Sequence, residues 1–281
     1  MKLCGKHAPG AFNSICINMA RGGLCLVVSF FIWLIADGET TTASGHAIAV
    51  FAGIGTVINL FTWILTSRFV SLVMIEATCT IGTLIVPLIL APILYEGDSV
   101  TPLQWIGSVL IFASLFLFAR PAGGKREDAG ALRKVGLLIA CAAGAMITAI
   151  LKKYYSFHIM AKGLGSIEYF TLIGFLTLFI FFGASFLISC VGKRRAGVPV
   201  SLPYRRIWVW VLVAAASLYV NELFTTYASQ LPSSIYYPLS RALTIGCTFL
   251  VDLLVFRERV TWRGITGLVM LLAAVLLITI Q

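Results

Sequence analysis

The sequence predicts an all-α polytopic membrane protein, with nine transmembrane helices arranged as a 4+5 inverted repeat. Three observations predict it. Of 281 residues, 59% are hydrophobic and 11% charged, and the mean hydropathy is +0.98, a balance that an ordinary water-facing surface cannot carry. The apolar residues gather into runs near the length of about 20 residues that crosses a hydrocarbon core about 30 Å thick. A connector phrase, "EGDSVTPLQWIG", returns 160 residues later as "FRERVTWRGITG".

The runs are 14–36, 47–67, 71–95, 102–119, 135–151, 167–191, 207–229, 235–255 and 263–280. The first follows Lys2 and Lys6, as the apolar stretch of a signal peptide would, but it is too long and has no clear small-residue cleavage site. It reads as a retained helix. Polar or turn-forming residues bound each run, and the longest connectors, "ARPAGGKREDAGALRK" and "GKRRAGVPVSLPYRR", are basic and rich in Gly or Pro. No segment is long enough for a separate soluble domain. Residues 1–119 form the first half with four helices, 120–134 a cytoplasmic linker, and 135–281 the second half with five.

The net charge of +10 follows from where the charges fall, so it implies no nucleic-acid partner. With nine alternating helices, 16 of the 21 basic residues lie on one face and three, Lys152, Lys153 and Lys162, on the other, leaving Arg21 and Arg241 inside helices. The positive-inside rule then predicts a cytoplasmic N-terminus and an outside C-terminus, in the cell membrane. The seven cysteines fall singly, without ligand spacing, and read as small core residues.

Without a gap, the offset of 160 aligns residues 47–119 with 207–279 and matches Val100, Thr101 and Gly107 to Val260, Thr261 and Gly267. Asp98 and Glu258 fall at one equivalent position. The two copies of the connector lie on opposite faces, so the halves are inverted, which is a transporter signature.

The phrase E/D-x-V-T-x-x-x-x-x-G at a helix hairpin, before the last helix of each half, resembles the paired EamA-type repeat of the drug/metabolite transporter superfamily. That resemblance implies ten helices in two inverted five-helix halves around a central cavity, both termini cytoplasmic, and a small organic solute. This chain departs by one helix: the run 14–36 pairs with 167–191, and only "MKLCGKHAPG" precedes it. Two explanations stay open, a nine-helix member or a start codon placed too far downstream.

An ionisable side chain near the bilayer centre costs about 2.5 to 3.5 kcal/mol on insertion scales, so those present are expected to face a cavity or a partner. Glu222 and Arg241 fall at nearly the same depth and are expected to approach each other or to line one cavity. The solute's carboxylate or phosphate would sit on Arg241, with its cationic group or a coupled proton on Glu222. Tyr219, Asn221, Tyr236 and Tyr237 surround that level, and Asn59 and Trp63 occupy the matching helix of the first half. Only one of the adjacent Tyr236 and Tyr237 can turn fully inward. Glu76 either snorkels to headgroups or joins the cavity, while Asp252 and Arg21 are read as interfacial.

The function this predicts is secondary transport of a small organic metabolite or drug-like solute by alternating access, with membrane lipids as surroundings. Proton coupling and a homodimer stay open. An intramembrane enzyme or a channel-like permease using the same cavity is the alternative. His7, His46 and His158 fall in loops or at helix ends and offer no catalytic base, there is no G-x-x-x-x-G-K-[ST] phosphate loop, and no metal site or cofactor is expected.

Overall fold

The computed structural model describes residues 11–67, 69–70, 72–95, 100–118, 130–197, 207–254 and 262–279. Nine helices and no strand occur among them. They are α1 (Ala11–Ile35), α2 (Ala43–Thr66), α3, α4 (Pro102–Phe118), α5 (Ala131–His158), α6 (Ile167–Arg195), α7 (Ile207–Ala228), α8 (Ser233–Leu254) and α9 (Trp262–Thr279). Helix α3 is continuous but irregular, running through Leu72–Thr80, a π-helical turn Ile81–Ile85 and Val86–Leu94. Among the described residues six helices are long and apolar enough to cross a membrane. Their outward faces are studded with large apolar side chains such as Phe31, Ile93, Ile188 and Phe224. The chain is an α-helical membrane protein.

Helix boundaries follow local chemistry. Thr42 and Ser166 cap α2 and α6, their side-chain oxygens accepting from Gly45 N at 3.2 Å and Tyr169 N at 3.2 Å. The connector phrase gains a structural meaning at its first copy. Thr101 N donates to Gln104 Oε1 at 2.9 Å and Gln104 N donates to Thr101 Oγ1 at 3.4 Å, a reciprocal capping box. Six residues after Thr101, Gly107 meets α9, where an added Cβ would lie 2.9 Å from Ala274 O. Asp98, Glu258, Val260 and Thr261 lie outside the described residues, as do the side chains of Asp252 and Cys247.

One helix end differs from the sequence expectation. The run 135–151 continues as helix to His158, so Lys152 and Lys153 are not in an outer connector; both are buried within α5. Their charges end the apolar run without ending the hydrogen-bonded helix.

Small residues bring the backbones together, as membrane helix pairs require. At the α2–α5 crossing, a Cβ on Gly144 would lie 2.5 Å from Asn59 N and 2.8 Å from Gly55 O. Polar groups tie the same seam: Asn59 Nδ2 donates to Cys141 O at 2.9 Å, and the hydroxyls of Thr56 and Thr148 are 3.2 Å apart. Helices α1 and α6 pack antiparallel, with Phe12 against Phe186 at 5.4 Å and Gly22 against Leu178. The largest apolar cluster sits where α3, α4, α8 and α9 meet, and includes Leu84, Ile111, Ile245, Leu271 and Ala274.

Candidate solute site

Helix α5 carries one polar stripe at helical spacing, Cys141, Thr148, Lys152 and Tyr155, and the site is built around it. Lys152 lies six residues from the end of α5 and Glu222 six from the end of α7, so both stand about 9 Å from the same end of the bundle. Lys152 Nζ donates to Glu222 Oε2 and, at 3.0 Å, to Thr225 Oγ1. The lysine side chain is 5% exposed and the glutamate 24%. A cavity of about 30 Å³, lined by residues of α2, α5, α6 and α7 including Thr56, Thr148, Lys152, Thr171, Phe175 and Glu222, opens beside this pair. That is room for one or two waters, well short of the roughly 300 Å³ a drug-sized ligand occupies.

A second ion pair joins α8 to α3. Arg241 Nη1 is 3.8 Å from Glu76 Oε2, and Arg241 Nε donates to Thr83 Oγ1. Thr83 lies within the π-helical turn and donates onward to Cys79 O at 2.9 Å. Such turns recur at functional positions because they re-aim the side chains around them.

The expected approach of Glu222 to Arg241 is therefore corrected. Glu222 lies six residues before the end of α7 and Arg241 eight after the start of α8, but Glu222 turns toward α5 and Arg241 toward α3, and each takes its partner there. Tyr236 and Tyr237 are both buried, 4% and 1% exposed, rather than one in and one out, because the first turns of α8 pack into the cluster formed by α3 and α4. Tyr237 OH is 3.3 Å from Tyr95 OH, which donates to Ile150 O at 3.1 Å. Arg21 also differs from expectation: it is buried, and its Nη1 donates to Asn18 Oδ1 at 3.1 Å instead of reaching headgroups.

The other expected residues take varied places. Tyr219 is buried against Phe175, rings stacked at 6.0 Å, at the edge of the cavity wall. Asn221 is exposed on the side of α7 that carries Phe224, turned away from Glu222. Glu76 is 43% exposed although paired with Arg241. Asn59 fastens α2 to α5, and Trp63 packs with Ile75, Cys79 and Cys141.

Sequence reasoning missed Lys152, Lys153, Thr83 and Thr171. For the lysines a signal existed: "LKKYYSFHIMAKG" has no Gly or Pro before Gly163, so nothing ends the helix at residue 151. Lys153 Nζ donates to Leu231 O and lies 5.6 Å above the Tyr95 ring, holding the α7–α8 connector. Two cysteines read as solitary meet here, Cys79 and Cys141, with sulfurs 3.4 Å apart. Among the described residues no group of three metal-ligating side chains occurs.

No family model matches the chain, and no curated protein does. Solved structures do match: the chain covers 91% of a structure described as "Crystal structure of protein", over 99% of its own length, with a TM-score of 0.66 and 14% identity. The fold is shared. At that identity the likeness is one of fold alone.

Proposed function

We propose that the protein is a secondary transporter of the EamA type, carrying a small organic solute across the cell membrane by alternating access. One observation carries this reading: two ion pairs, Lys152–Glu222 and Arg241–Glu76, lie within apolar helices of the bundle rather than in its connectors. Charges at such depth are kept where a path must be wetted or a solute bound.

The proposed architecture is nine spans in two inverted halves, divided at the 120–134 linker, with the N-terminus cytoplasmic and the C-terminus outside. Two contacts support an inverted relation. Ile85 and Ile245, and likewise Ile111 and Leu271, are pairs separated by 160 residues, and all four pack on one cluster, as expected beside a local two-fold axis. Helix pairs that the repeat would make mates, α1 with α6 and α4 with α9, are in close contact. Burial of Lys152 and Lys153 leaves Lys162 as the outer basic residue of the original three, which strengthens the charge asymmetry.

In this reading the Arg241–Glu76 pair latches one half to the other, and the Lys152–Glu222 pair faces the first half across the cavity. Rocking of the halves would separate Arg241 from Glu76 and widen the space beside Glu222 to admit a solute.

The test is flux of a labelled panel of amino acids and aromatic acids in proteoliposomes, with and without a pH gradient. For Glu222→Gln we expect saturable exchange to persist and its stimulation by the gradient to disappear. Gradient-driven flux equal to that of the unaltered protein would remove Glu222 as the proton site. Flux linear in solute concentration would mark a channel, and covalent change in the solute an enzyme.

A further inference from the structure

We propose that Lys152 is the anchor for a carboxylate on the transported solute, which takes the place that Glu222 holds in this conformation. This deepens the transporter reading and rests on it.

Charge count favours an anion. Among the described residues four or more positions from any helix end, the charged side chains are Arg21, Lys152, Lys153 and Arg241 against Glu76 and Glu222. The interior is therefore richer in positive than in negative charge. An entering carboxylate lowers that excess, whereas an ammonium raises it.

Donors at the cavity point the same way. The Lys152 ammonium has three N–H groups. Two are committed, to Glu222 and Thr225, and no third partner occurs among the described residues. Across the cavity Thr171, 5% exposed, has a buried hydroxyl with no hydrogen-bond partner among them. An unsatisfied buried hydroxyl is costly unless a ligand or water completes it. A carboxylate can accept from both donors at once.

Size and lining narrow the class further. Room for one or two water-sized centres suits the two oxygens of a carboxylate better than the three terminal oxygens of a phosphate ester. Phe170 and Phe175 in the wall suit an aromatic or branched apolar body behind it.

The test uses the purified full-length protein and three probes of one shape: benzoate, phenyl phosphate and benzylamine. The readout is thermal unfolding followed by intrinsic fluorescence. Benzoate is expected to raise the midpoint of the unaltered protein and of Glu222→Gln, and to have no effect on the double variant Lys152→Met/Glu222→Gln. That double variant removes both charges of the pair together, so loss of the shift reads recognition rather than misfolding. Lys152→Arg is expected to keep part of the shift. The proposal is overturned if benzylamine stabilises and benzoate does not, if phenyl phosphate alone stabilises, if no probe acts, or if the benzoate shift survives in the double variant. A Lys152-dependent benzoate shift without saturable benzoate flux in proteoliposomes would keep the site and discard the transporter reading.

Discussion

Gly144→Leu is expected to leave almost no monodisperse protein after extraction from the membrane. The position has no slack: an added Cβ meets backbone, Asn59 N at 2.5 Å and Gly55 O at 2.8 Å, and backbone cannot rotate aside as a side-chain tip can. Helices α2 and α5 must part, and the bonds from Asn59 Nδ2 to Cys141 O and between the Thr56 and Thr148 hydroxyls break with them. Overpacking typically costs about 1 to 3 kcal/mol, and contact with backbone, which cannot rotate aside, puts this case at the upper end. Gly183→Ala is the matched control. Nothing lies within 4 Å of a Cβ there, and alanine in a helix is favoured over glycine by about 0.5 to 1 kcal/mol. Size-exclusion profiles and unfolding midpoints of the two variants check the α2–α5 crossing directly, and equal midpoints would show that it is misplaced.

Lys152→Met is expected to be strongly destabilising. It leaves the Glu222 carboxylate partly buried without its ammonium partner. Removing one member of a buried pair costs about 3 to 5 kcal/mol, and the 24% exposure of Glu222 puts this case at the lower end. Adding Glu222→Gln should recover most of the loss, because an amide needs no counter-charge and can still accept and donate hydrogen bonds. The double-mutant cycle would then show strong coupling between the two positions. Additive losses would mean that the lysine and the glutamate do not meet.

What was legible in the sequence was set by hydropathy, and what was not was set by direction. Among the described residues apolar run length matches most helix ends to within a few residues, because lipid exposure imposes length and composition together. It failed at the end of α5, where Lys152 and Lys153 imitate an exit from the membrane while being neutralised or hydrogen-bonded inside it. Counting residues puts Glu222 and Arg241 at similar distances from the helix ends that the α7–α8 connector joins. Their partners depended on which way each side chain faces around its own helix axis, and that angle depends on packing against helices distant in sequence. The π-helical turn that presents Thr83 to Arg241 lies just before Pro87, which marks a place where the helix can be interrupted but not which side chain is re-aimed. The V-T-x-x-x-x-x-G phrase was legible as a repeat before it was legible as chemistry. In the first copy Thr101 caps a helix and Gly107 permits a crossing.

The account centres on an interior that water and solute reach from each side of the membrane in turn. Thiol labelling tests it most directly. Thr148→Cys, in a protein otherwise free of cysteine, is treated with a membrane-impermeant maleimide in right-side-out and in inside-out vesicles, with Val213→Cys on the lipid-facing side of α7 as control. Alternating access predicts that position 148 reacts in both preparations and position 213 in neither. Reaction at 148 from one side only, or from neither, would contradict it.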